Sequence, residues 1–171
     1  FVRSVWDLII HQKPSHIGVI FDPKGGTFRS ELYEEYKAQR DAQPEDITLA
    51  LPYIIRIMEG MRIPVEIIPN FEADDVIGTL AKKAEKEGFQ VFMVTPDKDY
   101  AQLVSENIFQ YKPARFGNDI EILGVEDIMK KWEIKRIDQV IDILGLMGDS
   151  VDNIPGLPGV GPKTAVKLID E

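Results

Sequence analysis

The chain has 171 residues, a length that suits one domain or one domain with a small appended module. Hydrophobic residues make up 44% of it and charged residues 29%, which excludes a wholly disordered chain. No apolar run reaches the length of a membrane span, so we expect no membrane partner. The absence of cysteine excludes disulfides and thiolate metal sites and is compatible with a reducing cytoplasm.

The formal net charge of -9 disfavours a phosphate-rich partner, unless bound cations reverse the sign of the charge locally. The placement of the acidic residues therefore matters more than their number. This placement follows from the elements that the sequence predicts.

The first half of the chain alternates predicted helices with short apolar strands. HIGVIFD (16–22) is a continuous apolar run that ends in an acid, which is typical of a strand buried on both faces. The predicted elements are a helix at 1–12, a strand at 16–22, a loop or helical segment at 23–43, a helix at 46–61 that Pro52 should kink or restart, a strand at 65–68, a helix at 73–87 and a strand at 90–95.

The second half is richer in helices and ends in a stretch of glycine and proline. The predicted elements are a short helix at 100–104, a β-like segment at 108–111, a turn at 117–118, helices at 125–132 and 137–147, and a hairpin that leads into a helix at 155–169. Strands that alternate with helices predict an α/β fold with a mostly parallel sheet.

Acidic residues follow the predicted strands, where the chemistry of a parallel α/β sheet gathers. Each acid alone is more simply a helix cap or a solvated surface group. Together they would converge on one small volume, where like charges raise one another's pKa unless a cation is present. The set comprises Asp22, Glu72, Asp74, Asp75, Asp97, Asp99, Asp149 and Asp152.

These carboxylates favour a hard metal ion. With no cysteine and only two histidines in the chain, oxygen ligands predict Mg²⁺ or Mn²⁺ rather than zinc. Two such ions about 4 Å apart can activate a water molecule and stabilise the leaving oxygen in phosphodiester hydrolysis. The acids therefore predict a two-metal phosphodiesterase.

Four segments of the chain stand out together: FDPKGGTFRSELYEEYKAQR (21–40), FEADDVIGTLAKKAEKEG (71–88), VTPDKDYAQLV (94–104) and GLMGDSVDNIPGLPGVGPKTA (145–165). Together they resemble the 5′-nuclease domain of bacterial DNA polymerase I, which belongs to the flap endonucleases. The resemblance implies a PIN-like core and a structure-selective 5′-3′ exonuclease and flap endonuclease that uses two divalent metals. Its substrate would be branched DNA, with a 5′ flap or a nick and including RNA primers. Polymerase domains would be linked covalently in the parent protein.

The resemblance also implies roles for the acids. It assigns Asp22, Glu72 and Asp74 to the ion nearer the scissile phosphate. It assigns Asp97, Asp99, Asp149 and Asp152 to the second ion, and it makes Asp75 an outer member of the site.

A basic segment forms the other half of the implied site. Read without the family, YEEYKAQR (33–40) is a polar loop with solvated basic residues. The resemblance makes the segment 23–43 a helical arch from which Arg29, Lys37 and Arg40 reach the substrate. Lys37 would stabilise charge on the phosphate with support from Arg40. Tyr36 would stack on a base or a sugar.

The string GLPGVGPKTA resembles a helix-hairpin-helix that holds the duplex backbone without reading its sequence, with K⁺ as a further expected ion. Gly156, Gly159 and Gly161 would free backbone N–H groups for a phosphate, ahead of a helix that starts near Pro162. Lys163 and Thr164 are the adjacent candidates for binding. An ordinary helix-entry turn is the alternative reading of a bare G-x-G.

The chain departs from the family pattern at its start. The family begins with a strand that carries a metal aspartate, whereas this chain opens at Phe1 within a helix, so we expect that strand and one metal ligand to be absent. We divide the chain into a nuclease core at 1–125, with the basic arch at 23–43, and a helical DNA-binding region at 126–171.

Two other functions are compatible with parts of this pattern. One is a DNA-binding fragment whose incomplete metal site is inactive. The other is a phosphatase of the haloacid type, suggested by the strand ending in Asp22. That motif requires a second aspartate two residues later, where this chain has Lys24.

Overall fold

The computed structural model describes residues 1–114 and 119–170, so the predicted turn at 117–118 lies outside the described residues. The helices are α1 Val2–Gln12, α2 Phe28–Leu32, α3 Glu45–Gly60, α4 Ala73–Lys86, α5 Val125–Trp132, α6 Gln139–Met147 and α7 Pro162–Asp170, with a 3₁₀ helix at Lys98–Leu103. The strands are β1 Val19–Ile20, β2 Val65–Glu66, β3 Val91–Val94, β4 Ile108–Lys112, β5 Glu121–Leu123, β6 Gly148–Asp149 and β7 Ile154–Pro155.

The predicted α/β class is confirmed, with parallel pairing in the core. β1 pairs with β2 in parallel, and β3 pairs with β4 in parallel. β5, which the sequence did not predict, adds an antiparallel strand to β4, and β6 pairs antiparallel with β7. Within the described residues these strands form three separate small sheets rather than the single sheet expected.

The strand expected at 16–22 is much shorter than its apolar run. Its pairing to the neighbouring strand covers only Val19 and Ile20, flanked by bonds from Val19 N to Pro64 O and from Phe21 N to Glu66 O. An apolar run marks burial, and burial extends beyond the residues that form ladder hydrogen bonds.

Pro52 does not restart α3, which is continuous from Glu45 to Gly60. The lost backbone donor leaves the Thr48 carbonyl without its usual helical partner. Thr48 and Pro52 lie on exposed turns of the helix, where water can hydrate that carbonyl. The predicted restart of the helix at Pro52 is therefore wrong.

Two buried apolar clusters hold these elements together. Val5, Val19, Met58 and Ile63 form one beneath α1 and α3. The other lies beneath α4 and β3 and contains Ala81, Met93, Tyr100, Ala101, Val104, Ile108, Ile128 and Val140. α4 contacts both β1 and β3, and this packing directs its N-terminus towards the ends of those strands.

The C-terminal elements bring a second acidic loop to the same place. α6 packs on α7 and on the 3₁₀ helix. The loop after α6 thereby lies beside the segment that follows β3, and Lys98 Nζ is 3.0 Å from Asp149 Oδ2. No helix of the described residues has both the length and the apolar character needed to cross a membrane.

Candidate active site

The acids at the start of α4 lie beside the acid that follows β1. Asp22 Oδ1 accepts a hydrogen bond from Ala73 N at 2.7 Å, which ties the end of the strand to the helix start. Burial raises the pKa of Asp74, although the hydrogen bond that the Tyr100 hydroxyl donates to it at 2.6 Å acts in the opposite direction. The negative charges of Asp97, Asp22 and Glu72 raise this pKa further. These carboxylates therefore share one electrostatic site.

A second group of acids surrounds Asp99. Burial raises the pKa of Asp99 to about 6, the charge of Asp97 adds to this, and Lys98 opposes it. Asp149 and Asp152 raise it further. Asp99 Oδ1 is buried and has no hydrogen-bond partner in the described part of the chain. A buried acceptor surrounded by negative charge is a position where a cation would be stabilising.

The basic segment predicted to reach the substrate lies directly on these acids. Lys37 Nζ is 2.7 Å from Glu72 Oε1, and the Arg29 guanidinium makes a two-pronged contact with Asp75 at 2.6 and 2.7 Å. Arg40 contacts Asp152. The three basic residues and three of the acids are therefore brought together, as the sequence predicts.

Tyr36 occupies a different environment from the one predicted. Its side chain is buried, and its hydroxyl donates to Glu72 Oε2 at 2.9 Å and lies 3.2 Å from Asp152 Oδ2. Burial, and then the hydrogen bond to Glu72, raise the pKa of the phenol, so it remains a donor at neutral pH. The structure does not present the Tyr36 ring to a stacking base. Instead, its hydroxyl forms hydrogen bonds with Glu72 of the first group of acids and Asp152 of the second.

Backbone contacts hold the basic segment against the loop that carries Asp149 and Asp152. Lys37 N donates to Asp152 O at 3.0 Å, and Asn153 Nδ2 donates to Glu35 O at 2.7 Å. Lys37 adopts a φ of 57°, a left-handed conformation that is uncommon for a lysine. The ammonium position is thus determined by the surrounding structure as well as by its ion pairs.

The carboxylates have the right chemistry for a hard divalent ion, and Glu72, Asp75, Asp149 and Asp152 are paired here with basic side chains of the protein. Among residues 1–114 and 119–170, no three acids or histidines are close enough to hold a metal ion. Asp75 makes a second contact, because its Oδ2 also accepts a hydrogen bond from Glu72 N at 3.0 Å as a helix cap. The Asp99 oxygen that has no partner among the described residues and the all-oxygen donor set fit Mg²⁺ or Mn²⁺.

The hairpin before α7 has glycines for two different reasons. Gly156 packs backbone against backbone, and a Cβ built on it would lie 2.1 Å from Met147 O. Gly159 has a φ of 78°, whereas a Cβ on Gly161 would meet nothing within 4 Å. α7 starts at Pro162, as predicted. Gly156 therefore has a structural requirement independent of any ligand.

This packing gives a testable stability difference. We expect Gly156→Ala to lower the free energy of unfolding by about 2–4 kcal/mol, because the added methyl group collides with rigid backbone. Gly161→Ala is the matched control and should change it by less than about 1 kcal/mol. Urea unfolding followed by circular dichroism measures both, and equal stability of the two variants would contradict the close packing.

Two sequence families match the chain along almost its whole length. The family described as "5'-3' exonuclease, N-terminal resolvase-like domain" matches residues 1–133. The family described as "5'-3' exonuclease, C-terminal SAM fold" matches residues 136–171. The chain belongs to the 5′-3′ exonuclease family. The suspected resemblance is thereby confirmed.

Sequence comparison with individual proteins supports this family membership. A 5'-3' exonuclease of Aquifex aeolicus is 40% identical over 169 residues, covering 99% of this chain and 57% of that protein. DNA polymerase I of Bacillus caldotenax is also 40% identical over 169 residues, covering 99% of this chain but 19% of that protein. The chain therefore spans little more than half of the first relative and about a fifth of the second.

Solved structures of low sequence identity share the fold. Bacteriophage T5 5'-exonuclease with bound zinc has a TM-score of 0.81 at 23% identity, covering 99% of this chain and 65% of that one. The catalytic core of Rad2 in complex with DNA substrate has a TM-score of 0.63 at 20% identity, covering 99% of this chain and 49% of that one. These structural similarities show that this chain has the same fold as those proteins.

Three residues of the site were not singled out from the sequence. The Tyr100 hydroxyl donates to Asp74, Lys98 pairs with Asp149, and buried Gln110 donates its side-chain amide to the Asp97 carbonyl. Lys98 and Tyr100 stand within the DKDY string, so adjacency to Asp97 and Asp99 was an available signal. Gln110 lies in the following strand, where nothing in the sequence distinguishes it.

Proposed function

We propose that this chain is the nuclease part of a structure-selective 5′-3′ exonuclease and flap endonuclease that hydrolyses DNA phosphodiesters. The observation that carries the proposal is the group of carboxylates around the buried Asp99 oxygen, which has no hydrogen-bond partner in the described part of the chain, together with the basic segment that contacts these acids. An anionic substrate and divalent cations together balance such a site, since the cations satisfy the acids and release the basic side chains. Membership of the 5′-3′ exonuclease family supports the same reaction.

The acids would hold two divalent ions, Mg²⁺ or Mn²⁺. Asp22, Glu72 and Asp74 would hold the ion nearer the scissile phosphate, and Asp97, Asp99, Asp149 and Asp152 would hold the second. Asp97 raises the pKa of acids in both groups. When bound, such ions activate water and stabilise charge on phosphate oxygens. Asp75, already held by Arg29 and by the helix cap, orients Arg29 and the start of α4.

The basic segment would bind the scissile phosphate. The Lys37 ammonium and the Arg40 guanidinium lie at the edge of the acidic groups, where their positive charge stabilises the negative charge that develops on the phosphoryl oxygens. Tyr36 keeps its proton and holds Glu72 beside Asp152, so it positions two acids for the reaction.

The hairpin would hold the duplex beside the site. Backbone N–H groups around Gly159 and Gly161, together with Lys163 and Thr164 at the start of α7, offer donors for a phosphate and a place for K⁺. Gly156 would support the hairpin structurally, because its backbone packs closely against the backbone of Met147. The division into a nuclease core at 1–125 and a helical DNA-binding region at 126–171 remains part of this proposal.

The names of the relatives support a proposal for the substrates, the parent protein and its location. Several are named DNA polymerase I, among them the Bacillus subtilis protein. We therefore propose branched or nicked DNA and RNA primers as substrates, attached polymerase domains in the parent protein, and a cytoplasmic location.

The proposal is tested by cleavage of a 5′-flap DNA labelled at its 5′ end. In Mg²⁺ or Mn²⁺ we expect release of short 5′ products, no comparable cleavage of a matched 3′-flap DNA, and loss of cleavage when EDTA removes the metal. The control is binding of the same DNA in EDTA, measured by fluorescence anisotropy.

The same assay separates the nuclease from the binding fragment weighed above. Anisotropy binding together with an intact substrate in both metals would show that the chain only binds DNA. Equal cleavage of both flaps would contradict structure selectivity.

A further inference from the structure

A cavity outside the acidic site shares Lys98 with the border of that site. It has a volume of about 330 Å³ and is lined by residues of the 3₁₀ helix, β4, β5, α5, α6 and α7. Its apolar wall includes Leu123, Ile128, Trp132 and Ile143. The charged residues of the lining are four lysines and a single glutamate, namely Lys98, Lys112, Lys131, Lys163 and Glu133. A basic cavity in a chain of net charge -9 requires an explanation.

Two of these lysines are held close together without adequate counter-charge. Burial, and then the charge of Lys131, lower the pKa of Lys112. Lys112 makes no salt bridge within the described part of the chain, and Lys131 is 3.7 Å from Glu121 in a largely exposed pair. An exposed pair of that kind contributes little. The juxtaposition is unfavourable by itself, and an anion placed between the two ammonium groups would relieve it.

The other two lysines place the cavity between the two DNA-binding features. Lys98 stands between Asp97 and Asp99 in the chain and pairs with Asp149, so it borders the acids. Lys163 is the second residue of α7, directly after the hairpin. A nucleic-acid strand that runs from the hairpin to the acids would pass the mouth of this cavity.

We propose that the cavity binds a backbone phosphate of duplex DNA between Lys112 and Lys131, with the Trp132 ring as the apolar wall beside it. Oxyanions are the ligands that paired ammonium groups bind, and a cavity of this volume accommodates a phosphate with its sugar. The assignment of this phosphate to a DNA backbone rests on the proposed function. A free phosphate monoester has the same chemistry and forms a separate arm of the test.

The chain offers its own probe for this site. Trp132 lines the cavity, whereas Trp6, the only other tryptophan, is 53% exposed on α1. In a Trp6→Phe background, the emission of Trp132 should change in a saturable manner as a blunt, unbranched DNA duplex is added in EDTA. EDTA prevents cleavage, so the measurement does not depend on nuclease activity.

Removal of the two charges should weaken duplex binding. We expect the double variant Lys112→Gln and Lys131→Gln to bind about 10-fold more weakly and to reduce the slope of log affinity against log salt by about 1, because one phosphate contact is lost. The pair Lys130→Gln and Lys135→Gln is the matched control, since it removes the same charge from residues outside the cavity lining. Lys112→Arg with Lys131→Arg should retain the parent's affinity, which separates charge from folding defects.

The outcomes are distinct. Equal affinity and equal salt slope for the cavity variant and its control would overturn the proposal. A Trp132 response to deoxyadenosine monophosphate but none to the duplex would assign the cavity to a free phosphate monoester and overturn the backbone source. Absence of flap cleavage in Mg²⁺ with an intact Trp132 response would count against the nuclease and leave the cavity assignment standing.

Discussion

Asp99→Asn is expected to lower the single-turnover rate of 5′-flap cleavage by about 1000-fold, which corresponds to about 4 kcal/mol of transition-state stabilisation. Asp99 Oδ1 is buried and makes no hydrogen bond in the described structure, so the substitution breaks no contact of that atom. The side chain keeps its size and loses its charge. What is removed is a negative ligand for a cation, and the rate in Mg²⁺ measures that loss.

The same variant should be more stable than the parent when metal is absent. The pKa of Asp99 in the folded chain is about 6, above its ordinary value of 3.8, so the folded state binds this proton more strongly than the unfolded state. Protonation of Asp99 therefore contributes to the free energy of unfolding, fully below pH 3.8, and this contribution is lost as the pH rises through about 6. At pH 7 in EDTA, the variant should gain roughly 1 kcal/mol, a value discounted for a partly exposed carboxyl.

This gain should shrink as the pH falls from 7 to 5, and thermal unfolding at the two pH values measures it. Asp46→Asn is the control, because Asp46 is an exposed acid in the first turn of α3. A variant that is both inactive and less stable in EDTA would indicate that Asp99 supports the fold rather than a metal. Full activity of the variant would remove Asp99 from the site.

Lys37→Met is expected to lower the cleavage rate by about 100-fold and to change DNA affinity by less than about 3-fold. The ammonium lies 2.7 Å from Glu72 and 3.7 Å from Asp152, so in the proposed site it would contact the scissile phosphate rather than the length of the duplex. Methionine keeps most of the aliphatic stem and removes only the charge. A rate measured at saturating protein and a dissociation constant measured in EDTA separate the two effects.

Lys13→Met is an unusually close control for this variant. Lys13 has a φ of 48° and Lys37 a φ of 57°, so both lysines stand in left-handed backbone. Lys13 ends α1, outside the acidic groups. A loss of affinity in Lys37→Met as large as the loss of rate would show that Lys37 binds the ground state and has no separate role in the chemical step.

Most helices of this protein could be predicted from local pattern. α1, α4 and α5 begin and end within a residue or so of the expected bounds, because each combines an apolar face with clear end signals. The strands at 16–22, 65–68 and 90–95 were predicted in the right places but with too many residues. The run 16–22 forms only two ladder pairs, since apolar character reports burial and the pairing depends on a partner from elsewhere in the chain. β5 escaped prediction for the same reason.

The residues of the candidate site could also be named from the sequence, because the acids follow strands and the basic segment follows Asp22. The contacts between these residues could not be predicted from the sequence. That Lys37 pairs with Glu72, and Arg40 with Asp152, depends on α4 packing against β1 and β3 while α6 packs on the 3₁₀ helix. The contacts of Tyr36 with Glu72 and Asp152 could not be predicted either, because they depend on three segments that are far apart in the chain.

The sequence by itself therefore determined the class of fold, the family and the chemical types that meet at the site, since these depend on residue identity and short-range spacing. Only the tertiary structure decided that the basic segment pairs with Glu72, Asp75 and Asp152, that a buried Asp99 oxygen has no hydrogen-bond partner among the described residues, and that Lys112 and Lys131 line a common cavity. Electrostatic energies depend on distance and burial, and both are set by packing between segments far apart in the chain.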